Sequence, residues 1–171
     1  VPSRSFAPIA VPGATILILG SLPGRRSLAE QRYYAQPQNA FWKIMGELFH
    51  AGPEVPYAAR TQRLTQHSIM LWDVVAQAVR PGSLDSSIVG ASIEVNDFPT
   101  LFETHRNIQL VCFNGTKAAE LYERRVLPPL NGEFGHIRYE RLPSTSPAHA
   151  TMCYEEKLAR WSIVRDFVSS G

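Results

Sequence analysis

Four short apolar runs divide the chain, and each is followed by a segment rich in polar residues, glycine or proline. The runs cover residues 15–19, 68–73, 108–113 and 137–142. Apolar runs of this length, bounded by turn-forming residues, predict strands that are largely buried. The fourth run alternates least clearly between apolar and polar positions, which favours a place at the edge of the sheet.

Between these runs, apolar residues recur at spacings of three and four, as on the buried face of a helix. Four such groups are present: Phe41, Trp42, Ile44, Met45, Leu48 and Phe49; Val95, Phe98, Leu101 and Phe102; Ala118, Ala119, Leu121 and Tyr122; and Leu158, Trp161, Val164, Phe167 and Val168. Strands alternating with helices predict an α/β fold. We expect a three-layer α/β/α sandwich around a short, mainly parallel, four-stranded sheet.

The segments at the carboxyl ends of the predicted strands carry the candidate chemistry. In chain order, these segments are Gly20-Ser21-Leu22-Pro23-Gly24, Leu71-Trp72-Asp73, Asn114-Gly115-Thr116-Lys117 and Leu142-Pro143-Ser144-Thr145-Ser146-Pro147-Ala148-His149. In an open α/β sheet, ligands bind at the carboxyl ends of the strands. Since all four polar segments lie at that rim, we expect them to form one site.

The first of these segments leads into a loop that suits a flat ligand. Glycine and proline allow close backbone approach, and the aromatic residues after them supply flat faces around Asn39. These aromatics are Tyr33, Tyr34, Phe41 and Trp42. A nucleobase would fit such a loop. The alternative is that the aromatics belong to the core and Asn39 caps a helix.

Asp73 ends an apolar strand, so its carboxylate is expected at the mouth of the core. It could accept a hydrogen bond from the ring N–H that hypoxanthine, guanine, xanthine and uracil carry beside a carbonyl. Adenine has an acceptor there instead, and two facing acceptors cost about 1–3 kcal/mol. Asp73 could therefore separate deaminated bases from adenine, although a purely structural capping role is the alternative.

The last segment is stiffened by prolines and rich in hydroxyls. Hydroxyls and backbone N–H groups at Ser144, Thr145 and Ser146 could hold phosphates, with His149 touching a phosphate or a base. A local turn without a ligand is the alternative.

The segment that begins at Asn114 brings backbone N–H groups to the start of a predicted helix, which is a favourable place for an anion.

The composition of the chain limits the classes of protein to which it can belong. The 171 residues suit one domain, 1–171, and a net charge of +2 permits a small nucleic-acid footprint without requiring one. The two cysteines, Cys112 and Cys153, cannot supply an ordinary iron–sulfur cluster, and Cys112 is expected to be buried. We expect no metal and no cofactor.

No run approaches the ~20 apolar residues of a membrane span and no signal peptide is visible, so we expect a cytoplasmic protein without membrane partners.

Nucleotide and hydrolase motifs are missing. The P-loop spacing G-x-x-x-x-G-K-[ST] does not occur, and GSLPG is not G-x-G-x-x-G. No G-x-S-x-G elbow is present, which weakens a serine hydrolase interpretation.

Five motifs in order give the chain a family resemblance: GSLPG, YYAQPQNAFW, LWD, FNG and PSTSPA, preceded by Ser5-Phe6-Ala7-Pro8-Ile9. The chain resembles the uracil-DNA glycosylase superfamily over nearly its whole length. Within that superfamily it is most similar to the sixth family, the hypoxanthine-DNA (deoxyinosine) glycosylases.

The resemblance implies roles for individual residues. Asn39 matches the catalytic residue, and Phe41 matches the aromatic on which a flipped base stacks. Ser21, Leu22, Asp73 and Asn114 would complete the base pocket. The residues expected to contact DNA are Ser144, Thr145, Ser146, Ala148 and His149.

Three positions depart from common patterns in the superfamily. Leu22 stands where Asp or Asn commonly positions water, Ser144 where uracil enzymes carry a catalytic His, and Gln36 where many relatives have His. The resemblance nevertheless implies a monofunctional glycosylase that flips a deaminated base, chiefly hypoxanthine, out of DNA and hydrolyses its N-glycosidic bond to leave an abasic site. We expect it to act as a monomer on DNA containing deaminated bases. The alternatives are a uracil-specific enzyme for double-stranded DNA, a catalytically weak DNA- or nucleotide-binding module and, more distantly, a small-molecule hydrolase.

Overall fold

The computed structural model describes residues 2–82, 84 and 88–170. The strands in this part of the chain are β1 (Ser3–Arg4), β2 (Ile16–Gly20), β3 (Ile69–Asp73), β4 (Val75–Ala78), β5 (Glu94–Val95), β6 (Leu110–Asn114) and β7 (Arg138–Leu142). The α-helices are α1 (Arg25–Glu30), α2 (Phe41–Phe49), α3 (Tyr57–Gln66), α4 (Phe98–Thr104), α5 (Thr116–Leu121), α6 (Leu127–Leu130) and α7 (Tyr154–Ser170). A 3₁₀ turn covers Gly90–Ser92, and a π-helical turn, Tyr122–Val126, joins α5 to α6.

The central sheet has the strand order β3-β2-β6-β7. All three neighbouring pairs are parallel, with Ile16 opposite Ile69 and Leu110. The four predicted strands are confirmed to within two residues at each end, and β7 lies at an edge, as its weak alternation predicted. The predicted fold class is therefore confirmed.

Helices cover both faces of this sheet, which is why β2, β3 and β6 are buried at every position. On one face Ile16 and Ile18 pack with apolar residues of α2 and α7. On the other, Leu17 and Leu19 pack with α4 and α5. Cys112 is completely buried on β6, as expected.

A second, small antiparallel sheet has the order β1-β4-β5. The sequence pattern does not predict it, because its strands are two to four residues long. Val95, assigned above to a helix, lies in β5. That helix instead begins at Phe98, where the side chain of Asp97 accepts a hydrogen bond from the Thr100 N–H at 3.1 Å.

The segment before β2 packs along the end of β3. Ile9 bridges to Leu71, and the Trp72 indole N–H donates to the carbonyl of Phe6 at 2.9 Å. The Tyr33 hydroxyl donates to the carbonyl of Ala7 at 3.0 Å. Residues near the start of the chain thus support the rim where β3 ends. Among the described residues, no helix has the length and apolar character needed to cross a membrane.

Candidate active site

A cavity of about 960 Å³ opens at the carboxyl ends of the central strands. All four polar segments contribute to its wall, as predicted. The predicted site residues that line it are Ser21, Leu22, Asn39, Asp73, Asn114, Ser144, Thr145, Ser146, Ala148 and His149. Phe41 is the one predicted site residue that does not line it.

The carboxylate of Asp73 lies in the cavity wall against Gly20. Asp73 is only 3% exposed. A Cβ atom placed on Gly20 would lie 2.7 Å from Asp73 Oδ1 and 3.1 Å from the Tyr34 hydroxyl oxygen. Behind the site, the side-chain amide of Asn96 donates to the Asp73 carbonyl at 2.7 Å. Glycine at position 20 is therefore what lets the carboxylate and the Tyr34 phenol approach the end of β2.

The expectation that Phe41 offers its face to a base does not fit the structure. Phe41 is fully buried at the start of α2, and Tyr34 stacks on it with ring centroids 4.0 Å apart and planes inclined by 22°. On its other sides, Trp42 and Trp161 meet Phe41 edge-on at 4.9 and 5.9 Å. Tyr33 and Tyr34 both line the cavity, but Tyr33 is only 3% exposed whereas Tyr34 is half-buried, so Tyr34 is the aromatic side chain better placed to contact a ligand.

Asn39 is not the N-cap of α2, because Ala40 occupies that position. Its Oδ1 accepts a hydrogen bond from the Phe41 N–H at 2.9 Å, which holds the start of α2. The residue is half-buried and lines the cavity. No hydrogen bond from its Nδ2 to another described residue is formed, so the amide donor, together with the second lone pair of Oδ1, can serve a ligand or a water molecule.

Asn114 and Thr145 bind each other. The Asn114 Nδ2 donates to Thr145 Oγ1, and the Thr145 N–H donates to Asn114 Oδ1, both at 2.9 Å. The Thr145 carbonyl also accepts from the Ala40 N–H at 2.9 Å. Thr145 is 1% exposed, so direct contact with DNA does not fit. It instead connects the end of β6, the 143–149 loop and the Asn39 loop.

Ser144 and Ser146 form the local turns that the alternative interpretation anticipated. Ser144 Oγ accepts from the Ser146 N–H, and Ser146 Oγ accepts from the Ala148 N–H, both at 3.2 Å. These N–H groups are thus used within the loop. A hydroxyl that accepts from the backbone still has its own hydrogen to donate, so both serines can donate to phosphate oxygens.

Two buried cations donate hydrogen bonds to backbone carbonyls of these loops, and the sequence analysis missed both cations. The Arg80 guanidinium donates to the carbonyls of Leu22, at 3.2 Å, and Pro23. The Lys157 ammonium donates to the His149 carbonyl at 2.8 Å and to the Ser146 carbonyl at 3.5 Å. The only sequence signal for Lys157 is its position four residues before Trp161, on the same face of α7.

The wall as a whole offers an aromatic face, an acidic acceptor and an amide, with hydroxyl donors at the rim. Within the described residues, no group of three His, Cys, Asp or Glu side chains could hold a metal ion. The His149 Nε2 is buried and has no hydrogen-bond partner in this part of the chain. Such a set suits recognition of a flat, hydrogen-bonding ring attached to a phosphate-bearing chain.

Comparison with known proteins identifies the family of this chain. The family model of the uracil DNA glycosylase superfamily matches residues 8–167. A protein named hypoxanthine DNA glycosylase from Methanosarcina acetivorans is 38% identical over 138 residues, covering 75% of this chain and 86% of that protein. One of the same name from Methanosarcina barkeri is 34% identical with the same coverage.

The fold comparison covers almost every residue. A solution NMR structure of a Methanosarcina acetivorans protein, provisionally named a uracil DNA glycosylase, superimposes with a TM-score of 0.80. It is 33% identical in sequence, and the match covers 99% of each chain. The chain belongs to the uracil DNA glycosylase superfamily, and its enzyme class is therefore DNA glycosylase.

Proposed function

We propose that the enzyme removes deaminated bases, hypoxanthine foremost, from DNA by hydrolysis of the N-glycosidic bond and leaves an abasic site. The observation that carries this proposal is the Asp73 carboxylate in the cavity wall beside Gly20. A carboxylate oxygen that carries no proton accepts hydrogen bonds, so it suits the N1–H of hypoxanthine and not the N1 lone pair of adenine. The names of the Methanosarcina relatives support the same substrate.

The target nucleotide has to leave the duplex before it can reach this wall. Flipping costs a few kcal/mol and costs least at mispaired bases. Stacking of the flipped base on Tyr34 returns about 1–3 kcal/mol. In this proposal the hydroxyls of Ser144 and Ser146 donate to the flanking phosphates, and Ala148, which is exposed, occupies the space that the base leaves.

Bond cleavage then passes through a sugar with oxocarbenium character, by analogy with other glycosyl transfers. The base departs with the bonding electron pair, and the oxygen of a water molecule bonds to C1′ while its proton passes to solvent or to the departing base. Leu22 is apolar and cannot polarise this water, so the Asn39 amide orients it. Because an amide takes no proton, the enzyme forgoes part of the ~10²–10⁴-fold that a general base contributes.

The test is excision from labelled duplexes that carry one inosine, uracil, xanthine or adenine at the same position. Hot alkali converts abasic sites into strand breaks, and untreated samples detect any lyase activity. We expect alkali-dependent breaks that are fastest for inosine and absent for adenine. Breaks with uracil alone would identify the uracil-specific alternative, and no breaks with retained DNA binding would identify the catalytically weak module.

Asp73→Leu tests the specificity argument within the same assay, because it removes both carboxylate oxygens at similar side-chain size. Loss of the acceptor should cost about 1–3 kcal/mol, a roughly 5- to 150-fold fall in inosine excision. Asp166→Leu, an exposed change on α7, is the matched control and should leave excision unchanged. Equal rates for Asp73→Leu and the unaltered enzyme would remove Asp73 from base recognition.

A further inference from the structure

Lys157 is a buried cation on the first turns of α7. It is 6% exposed, and its ammonium contacts the carbonyls of His149 and Ser146 at 2.8 and 3.5 Å. One turn further along α7, the Trp161 indole N–H donates to the Pro143 carbonyl at 2.9 Å. One face of α7 therefore donates hydrogen bonds to the 143–149 loop at its beginning, its middle and its end.

A lysine at this buried position is energetically unfavourable unless its charge is compensated. Burial of an ammonium without compensation disfavours its charged form, and burial lowers the pKa of Lys157. Among the described residues, no carboxylate lies within ion-pairing distance of it. The two loop carbonyls are the compensation, whereas a methionine would fill similar space without the cost. The charge and its directional donors are thus what a lysine adds here.

The two carbonyls lie on either side of the segment proposed to contact DNA. Ser146 Oγ already holds the Ala148 N–H at 3.2 Å, and the His149 N–H donates back to the Ser146 carbonyl at 3.0 Å. Fixing the carbonyls of Ser146 and His149 therefore fixes Ala148 between them. By contrast, the Asn114 and Ala40 hydrogen bonds act at Thr145, before this segment.

We propose that Lys157 is a positioning residue that holds residues 146–149 in the conformation that grips flipped DNA and places a fixed positive charge beneath the phosphates. This inference rests on the proposed function, because it assigns the loop to DNA. Loss of the Lys157 side chain should weaken DNA binding. The chemistry at Asn39 should continue, because the neighbouring Ala40 N–H donates to the Thr145 carbonyl, before the segment that Lys157 holds.

The test compares Lys157→Met, Lys157→Gln and Lys43→Met. Lys43 is exposed and lies over the Tyr154 ring at 4.3 Å, so its variant removes the same charge without touching the loop. Binding to a duplex with a tetrahydrofuran abasic analogue is measured by fluorescence anisotropy, alongside kcat and KM for inosine DNA and thermal unfolding. Binding needs no excision, so failure of the proposed substrate would not be mistaken for failure of this inference.

We expect Lys157→Met to raise Kd and KM about tenfold or more while kcat stays within about threefold. Lys157→Gln, which keeps a neutral donor, should lie between Lys157→Met and the unaltered enzyme, and Lys43→Met should change Kd less than about twofold. A folded Lys157→Met protein with unchanged Kd, or one that loses kcat at constant KM, overturns the proposal.

A measurement on the unaltered enzyme covers the case in which neither Lys157 variant folds. In ¹⁵N NMR, a hydrogen-bonded buried ammonium exchanges its protons slowly with water. A Lys157 signal that persists, and is further protected when the abasic duplex binds, supports the proposal. Exchange as fast as that of exposed Lys43 overturns it.

Discussion

Replacement of Asn39 by alanine is the most informative change, because the structure separates its effects on stability and on catalysis. The stability effect comes from the hydrogen bond between Asn39 Oδ1 and the Phe41 N–H, 2.9 Å long. Loss of one such hydrogen bond between a side chain and the backbone costs about 1 kcal/mol. For a protein of this size, that lowers the melting temperature by roughly 2–4 °C.

The catalytic effect should be much larger. Loss of one oriented hydrogen-bonding group at a reacting centre typically costs about 10²–10³ in kcat, so we expect Asn39→Ala to slow excision of inosine by that factor. Unfolding cannot account for it, since a loss of about 1 kcal/mol leaves a protein with about 5–15 kcal/mol of stability almost fully folded.

Two companion variants sharpen the interpretation. Asn39→Asp keeps an oxygen for the Phe41 N–H, so its melting temperature should stay close to that of the unaltered enzyme and it should recover part of the activity by orienting water. Gln38→Ala changes an exposed neighbour and should affect neither quantity.

The assay is single-turnover excision with enzyme in excess, read as alkali-sensitive breaks, beside thermal unfolding of the same samples. Excision by Asn39→Ala within about threefold of the unaltered rate would refute the assigned role. A large fall in activity matched by the same fall in Gln38→Ala would point to the loop conformation and not to the amide.

Four further predictions test the site and the core. Tyr34→Ala should lose about 1–3 kcal/mol of base stacking and reduce kcat/KM accordingly, whereas Tyr34→Phe should retain most of it. Thr145→Val leaves the buried Asn114 amide without its acceptor, so urea unfolding should show a loss of about 1–3 kcal/mol. Burial raises the pKa of Cys112 to about 12, so a thiol reagent at about pH 8, below the ordinary thiol pKa, should label exposed Cys153 alone until the protein unfolds. Because the folded Cys112 thiol keeps its proton, its contribution to stability should fall as the pH rises from about 9 towards 12.

The sequence predicted the sheet because its strands are buried on both faces. Such strands appear as continuous apolar runs, and their parallel order is a consequence of the helices between them. The polar segments at the carboxyl ends of these strands then predicted where the cavity lies. The small antiparallel sheet was missed because strands of two to four residues carry no periodicity that can be distinguished from a loop.

The sequence predicted which segments line the cavity, but not which aromatic side chain is accessible there. Phe41 belongs to the apolar face of α2, and that same pattern already placed it in the core. Tyr34 lies on a loop and has a positive φ of 54°, and no periodicity in the sequence reports which way such a side chain faces. Asn114 and Thr145 are 31 positions apart, so their mutual hydrogen bonds depend on β6 pairing with β7, a long-range fact that local patterns do not contain.

The grip of α7 on the 143–149 loop has a consequence for how the enzyme is made. The Pro143 carbonyl is held by Trp161, on the last helix of the described chain, while Tyr33 is held by Ala7, before the first strand of the central sheet. A growing chain on the ribosome therefore lacks the backing of the 143–149 loop until α7 has been synthesised. Prematurely terminated chains that end before Trp161 should not assemble a working site. Glycosylase activity therefore has to wait for α7, although all four strands of the central sheet precede it in the chain.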